Sequence, residues 1–157
     1  MIAFVRIAAT VALLVLLFPS AAQQPRARLP RVIGAAVPFY PRTAPSARIQ
    51  GIVTLQVSTN GTRVSSIDAE TGPAMLVQAA RENMKTWEFE PHSPTSFEVT
   101  FHYKLLLPKC DSECRCDTEE KESVLLQLPT NADVSAKVPA ICDPAVPITG
   151  RNRSKRE

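Results

Sequence analysis

Phe97-Glu98-Val99-Thr100-Phe101-His102-Tyr103-Lys104-Leu105 alternates without a break, with every odd position apolar and every even position polar. Period-two alternation over nine residues is the pattern of a strand that buries one face and wets the other. Working back from it, Trp87-Glu88-Phe89-Glu90-Pro91 is a short extended stretch with its aromatic residues on one side. Before that, Met75, Leu76, Ala79, Ala80 and Met84 recur at helical spacing, while Gln78, Arg81, Glu82 and Lys85 face away. The helix is expected to start at Thr71-Gly72-Pro73, with Thr71 or Gly72 as cap and Pro73 in the first turn.

Further upstream, Ile49, Val53, Leu55 and Val57 share a face of a second alternating run. Gln50, Thr54, Gln56 and Ser58 take the other face, and Ile52 is its one apolar exception. Gly51 falls where a side chain would point inward, so another element is expected close to its backbone. Asn60-Gly61 is a hairpin signal because both residues tolerate positive φ. Val64 and Ile67 mark the return strand, whose alternation is too irregular to fix a register. The order strand, strand, helix, strand predicts an α+β fold: a small antiparallel sheet of about three strands with a helix on one face.

Outside this middle, the chain changes character. Fourteen prolines stand against five glycines, crowding residues 25–45 and 129–147, so the flanks read as extended. At the N-terminus, residues 7–18 are apolar apart from Thr10, Arg6 precedes them and Ser20-Ala21-Ala22 follows Pro19. That is an export signal with cleavage expected before Gln23; a spanning helix needs about 20 apolar residues. The reading of the chain is a signal peptide at 1–22, an extended linker at 23–39 and a folded domain at 40–107. A cysteine-containing extension at 108–150 and a basic disordered tail at 151–157 complete it. Removal of Arg6 with the signal lowers the formal charge from +3 to +2, too little to argue for nucleic acid or an anionic membrane.

Several pieces together resemble the TonB C-terminal domain. Tyr40-Pro41, Ala44, Ala47 and residues 49–53 are similar to its opening. Asn60-Gly61 with Val64 is similar to its hairpin, Ala79-Ala80 with the W-x-F-x-P of Trp87, Phe89 and Pro91 to its helix end, and residues 97–105 to its closing strand. The resemblance implies a non-enzymatic binding domain that takes an extended receptor peptide onto its last strand. By position, the partner-binding residues would be Ser96, Phe97, Glu98, Val99, Thr100, Phe101, His102, Tyr103, Lys104 and Leu105, acting through their backbone; Trp87, Phe89 and Pro91 would be packing residues.

Two features depart from an energy transducer. Residues 23–39 reach only about 60 Å at ~3.5 Å per residue, short for a spacer across the periplasm. The extension after residue 107 is the second. It carries Cys110, Cys114 and Cys116, then Cys142. An even cysteine count in an exported chain points to two disulfides; an all-cysteine zinc site is the weaker alternative, because the C-x3-C-x-C spacing is off pattern. Within the extension, residues 124–128 read as a strand and 134–138 as a further one. Residues 124–128 are expected to fold back beside residues 97–105 and occupy the edge used for docking.

Enzyme chemistry finds no support in the residues. His92 and His102 are the two histidines, His92 lying between prolines and His102 on a polar strand face. There is no G-x-S-x-G, no H-E-x-x-H and no phosphate-cradling loop. No cofactor, metal, nucleic acid or small-molecule substrate is expected. The leading expectation is a periplasmic or secreted protein-binding module with a partner in the cell envelope, an outer-membrane receptor among the candidates. The alternatives are a short inner-membrane-anchored energy transducer and a structural protein that pairs with itself as a homodimer.

Overall fold

A computed structural model describes residues 28–111 and 113–141. The segment expected to be an export signal, the basic tail and Cys142 lie outside the described residues. The elements in chain order are β1 (Val32–Gly34), α1 (Thr43–Ser46), β2 (Gly51–Thr59), β3 (Val64–Thr71), α2 (Ala74–Met84), β4 (Glu88–Phe89) and β5 (Thr95–Leu106). They continue as β6 (Lys109–Cys110), β7 (Cys116–Asp117), β8 (Val124–Gln127) and β9 (Asn131–Lys137).

The α+β expectation holds, and the extension does add strands. The main sheet has five strands in the order β3-β2-β5-β9-β8. The three family-like strands pair antiparallel, with β2 against β5 from Gly51↔Tyr103 to Thr59↔Thr95. Val53, Leu55 and Val57 of β2 and Val99 and Phe101 of β5 are fully buried, and they face Leu76, Ala80 and Met84 of α2. Burying a large aliphatic or aromatic side chain contributes about 1.5–3 kcal/mol, so this shared face is where the fold gains most of its stability.

Local chemistry explains most departures from the sequence reading. The helix begins one residue later than expected, at Ala74, with Pro73 as N-cap in an extended conformation (φ −62°, ψ 128°). Pro73 ends up against Gly51, whose φ is +151° and whose ideal Cβ would lie 3.4 Å from the Pro73 ring. The close approach expected at Gly51 is therefore the helix start. Met75, expected inward, is partly exposed, and Asn83 takes a buried place on α2 instead. The β2–β3 turn runs over four residues, since Thr59 pairs with Val64. Gly61 has positive φ and Asn60 does not; Asn60 works through its side chain, whose Oδ1 accepts from the N–H groups of Thr62 (3.1 Å) and Arg63 (3.0 Å). Two register shifts along β2–β3 account for the irregular alternation around Val64 and Ile67.

One expectation about the extension is corrected. The strand beside β5 is β9, which pairs parallel from Thr100↔Asn131 to Leu106↔Lys137. Residues Val124–Gln127 lie one position further out, antiparallel to β9. The reason is visible in the side chains. Ala132, Val134 and Ala136 alternate inward on β9 and are buried, so β9 can close the core's flank. By contrast, Val124 and Leu125 of β8 stay exposed. The chain ahead of the domain also contributes structure: β1 pairs with β4, which sets the W-x-F-x-P segment against the core.

Candidate partner-docking edge

β5 is the element that the resemblance singles out, and its geometry follows from its alternation. Phe97, Val99, Phe101, Tyr103 and Leu105 are buried on the helix side, so the strand's backbone edge and its even-numbered residues are what remain to be met from outside. Backbone direction is fixed by the hydrogen bonds at its ends. The N–H of Thr100 donates to Thr130 O on the β9 side (2.8 Å), and the N–H of Leu105 donates to Gln50 Oε1 (3.0 Å) on the β2 side. Since alternate amides of a strand point the same way, the N–H groups of Ser96, Glu98, His102 and Lys104 all point away from β2.

This flank of β5 divides in two. From Thr100 to Leu106 it is paired with β9. From Thr95 to Val99 it pairs with no strand among the described residues. Of the ten residues named from the sequence, Ser96, Phe97, Glu98 and Val99 therefore lie along an open edge, and Thr100, Phe101, His102, Tyr103, Lys104 and Leu105 along a covered one.

The polar face of the covered part is laced to the extension. His102 Nδ1 lies 3.9 Å from Asp133 Oδ1, and Lys104 Nζ lies 2.7 Å from Glu120 Oε2. These pairs are about half exposed or more, so each contributes little, ~0–1 kcal/mol. On the open part, Ser96 Oγ is 2.8 Å from Ser58 Oγ.

The aromatic signature is core. Trp87 is fully buried, with Nε1–H donating to Asn83 Oδ1 (2.9 Å), and Asn83 Nδ2 donates to Ala36 O (2.8 Å). Phe89 meets Phe97 edge to face with centroids 6.0 Å apart, and Trp87 lies 6.5 Å from Phe101. Under the covered part, Tyr40 meets Tyr103 edge to face at 5.3 Å. Tyr40 donates to Ile49 O (2.7 Å), whereas the Tyr103 hydroxyl is buried with no hydrogen-bond partner among the described residues. Burial pushes the Tyr103 phenol far above its ordinary range, with Tyr40 adding to the shift, so it is a neutral group throughout the usable pH range. His92 turns its Nδ1 to Ser93 O at 2.6 Å and packs its ring on Phe89.

In the extension, Cys110 and Cys116 are joined by a disulfide that closes the β6–β7 hairpin. Cys114 is disulfide-bonded as well, and no cysteine among the described residues is free. Inside this hairpin, Asp111 accepts from the N–H groups of Glu113 and Arg115 (2.9 Å each) and from Arg115 Nε (2.7 Å). The Arg115 guanidinium, helped by these amides, holds the Asp111 carboxyl below the usual carboxylate range.

The architecture is thus a small sheet covered on one face by one helix, with the long β5 running through it. The sequence pattern of the Gram-negative bacterial TonB protein C-terminal family matches residues 36–105. Those residues are a TonB C-terminal domain, a non-enzymatic interaction module of envelope proteins. No curated protein matches the chain. Among the described residues, no helix is long and apolar enough to cross a membrane.

Two contributors are barely legible in the sequence. One is β1, whose three residues give almost no periodic signal. The other is β9 as the direct neighbour of β5, although Ala132, Val134, Ala136 and Val138 do alternate with Asn131, Asp133, Ser135 and Lys137. Alanine carries so little hydrophobic weight that the pattern was faint.

Proposed function

We propose that this chain is an exported, periplasmic protein-binding module that takes an extended segment of an envelope protein by strand addition, with no catalytic activity of its own. The open stretch of β5 from Thr95 to Val99 is the observation that carries the reading. The outward N–H groups of Ser96 and Glu98 are presented beside a rigid, well-packed strand, and main-chain bonds of this kind give affinity while alternate side chains give selectivity. Docking over the full length from Ser96 to Leu105 would require β9 to leave, so the covered half serves here as structure. An outer-membrane receptor is the partner the family favours.

Capture from Gram-negative envelope extract tests this with two variants. Glu98→Pro removes an outward N–H without touching the β2 ladder, because that N–H points away from β2. Loss of capture by Glu98→Pro, with Lys121→Ala unaffected, supports docking on β5; capture undiminished by Glu98→Pro contradicts it. Anchored energy transduction is the second reading of the same domain, and it depends on residues 1–22. Intact mass of the exported protein separates the two: loss of those residues leaves a free binding module.

A further inference from the structure

With β9 laid along β5, the sheet's outer edge has moved to β8, and the two ends of the sheet are built differently. The β3 end carries two register shifts and the polar residues Ser65, Ser66, Asp68 and Glu70. Bulges and charges of this kind are how proteins blunt an edge against pairing. β8 has neither: Val124–Gln127 pairs with β9 in unbroken register and reads Val-Leu-Leu-Gln. Val124, Leu125 and Leu128 are 39%, 55% and 42% exposed, which is high for aliphatic residues on a strand edge.

The free backbone groups of this edge can be assigned. Ser135 N–H donates to Ser123 O (2.9 Å), so the 123/135 pair is hydrogen-bonded. In an antiparallel ladder such pairs alternate, so Leu125 and Gln127 bond inward and Val124 and Leu126 point their N–H and C=O outward. Neither Val124 nor Leu126 has another backbone partner among the described residues.

We propose that this edge pairs antiparallel with β8 of a second copy of the chain, about a two-fold axis at Leu125. This goes beyond the β5 docking reading and does not depend on it. The register is set by the residues. A two-fold at Leu125 places Val124 opposite Leu126 of the second copy and Leu126 opposite Val124, so every outward group meets an outward group. Leu125 faces Leu125 on the open face, and Ser123 faces Gln127. Over residues 123–127 apolar therefore meets apolar and polar meets polar. Glu122 falls opposite Leu128 and Lys121 opposite Pro129, so no like charges oppose one another. The match is self-complementary, as an isologous interface requires, which is why a second copy is favoured over an unrelated peptide. A four-residue edge buries less than the ~1,200 Å² of a standard stable interface, so the dimer is a weak one whose population follows concentration. The product is a continuous ten-stranded sheet with β3 at each outer end, and the pairing leaves the open stretch of each β5 unused.

Sedimentation of the full, oxidised exported chain up to about 1 mM reads affinities in the range expected for so small an interface. The expected result is a concentration-dependent shift from monomer to dimer. Leu125→Lys, which sets two lysines opposite each other at an exposed position, abolishes it. Leu125→Cys gives the geometric test. Opposed residues in a non-hydrogen-bonded pair stand about 4.5 Å apart at Cα, within the range of a disulfide. A covalent dimer is therefore expected from Leu125→Cys and not from Ile52→Cys, an equally exposed aliphatic position on β2. A monomer at all concentrations, a dimer unaffected by Leu125→Lys, or equal cross-linking by both cysteine variants overturns the proposal. A monomer that still captures envelope protein would overturn it and leave the β5 reading standing; a dimer that captures nothing would do the reverse.

Discussion

The family domain and the extension are held together by different means. In the domain, a fully buried Trp87, Phe89 and Phe101 pack with Leu55, Leu76 and Met84 between sheet and helix. In the extension, β9 contributes Ala132, Val134 and Ala136 to the interior and Val138 follows just past its end; the rest is mostly backbone pairing, ion pairs and disulfides. The domain is thus a core around which strands form, and the extension is a pair of strands laid on an edge that already exists. An edge can be closed by little apolar volume, provided that it is rigid and its ladder is satisfied.

Breaking the domain should have the largest effect. Trp87→Ala removes a fully buried ring that also ties Asn83, and is expected to cost about 3–5 kcal/mol, with sheet and extension lost in one transition. Urea denaturation followed by both far-UV circular dichroism and tyrosine fluorescence checks this; separate transitions would show that the extension folds without the core.

Val134→Ala sharpens the comparison from the other side. Val134 is 2% exposed and packs where β9 meets the Tyr103 position. Losing its methyl groups should cost about 2 kcal/mol at ~0.8 kcal/mol per buried methylene plus a small cavity. The cost should appear as faster opening of β8 and β9, while the α2 amides keep their protection in hydrogen exchange. Equal loss of protection in α2 would mean that the two regions are one cooperative unit.

Sequence showed much more of the first region than of the second. Strands rich in Val, Phe and Leu, such as β2 and β5, declared their faces through alternation, and W-x-F-x-P marked the family. β8 and β9 were visible as short runs, but which of them touches β5 was not, because pairing partners depend on topology rather than on local pattern. Residues 124–128 are the more apolar run and so looked like the closer neighbour. The small alanines of β9 proved the better fit against a filled core. The open half of β5 could not be read from sequence either, since it is defined by where Asn131 starts.

Two hairpin turns extend the comparison at smaller scale, because each is capped by an acid or amide side chain. Asn60→Ala removes the acceptor of two turn N–H groups and should cost about 1 kcal/mol, seen as a lowered denaturation midpoint. Asp111 plays the same part in the β6–β7 hairpin but can titrate. Its folded pKa is depressed, so its contribution is present above the ordinary carboxylate value of about 3.9 and lost as pH falls through the lower folded value. The amide signals of Glu113 and Arg115 should move over that acid range while those of Thr62 and Arg63 hold still. Because Asp111 is exposed, this is the smallest of the effects, and signals that move together would show that the difference between the turns is not electrostatic.

Among the described residues, β9 covers one half of the β5 flank and leaves the other half open. Residue-resolved amide hydrogen exchange on the native protein tests it most directly. Strong protection is expected of the His102 and Lys104 amides, which point toward β9, and fast exchange of the Ser96 and Glu98 amides, which point the same way with no strand of the described residues beside them. Fast exchange at all four would contradict it by showing that β9 does not hold the edge, and uniform protection would contradict it by showing that no edge is open.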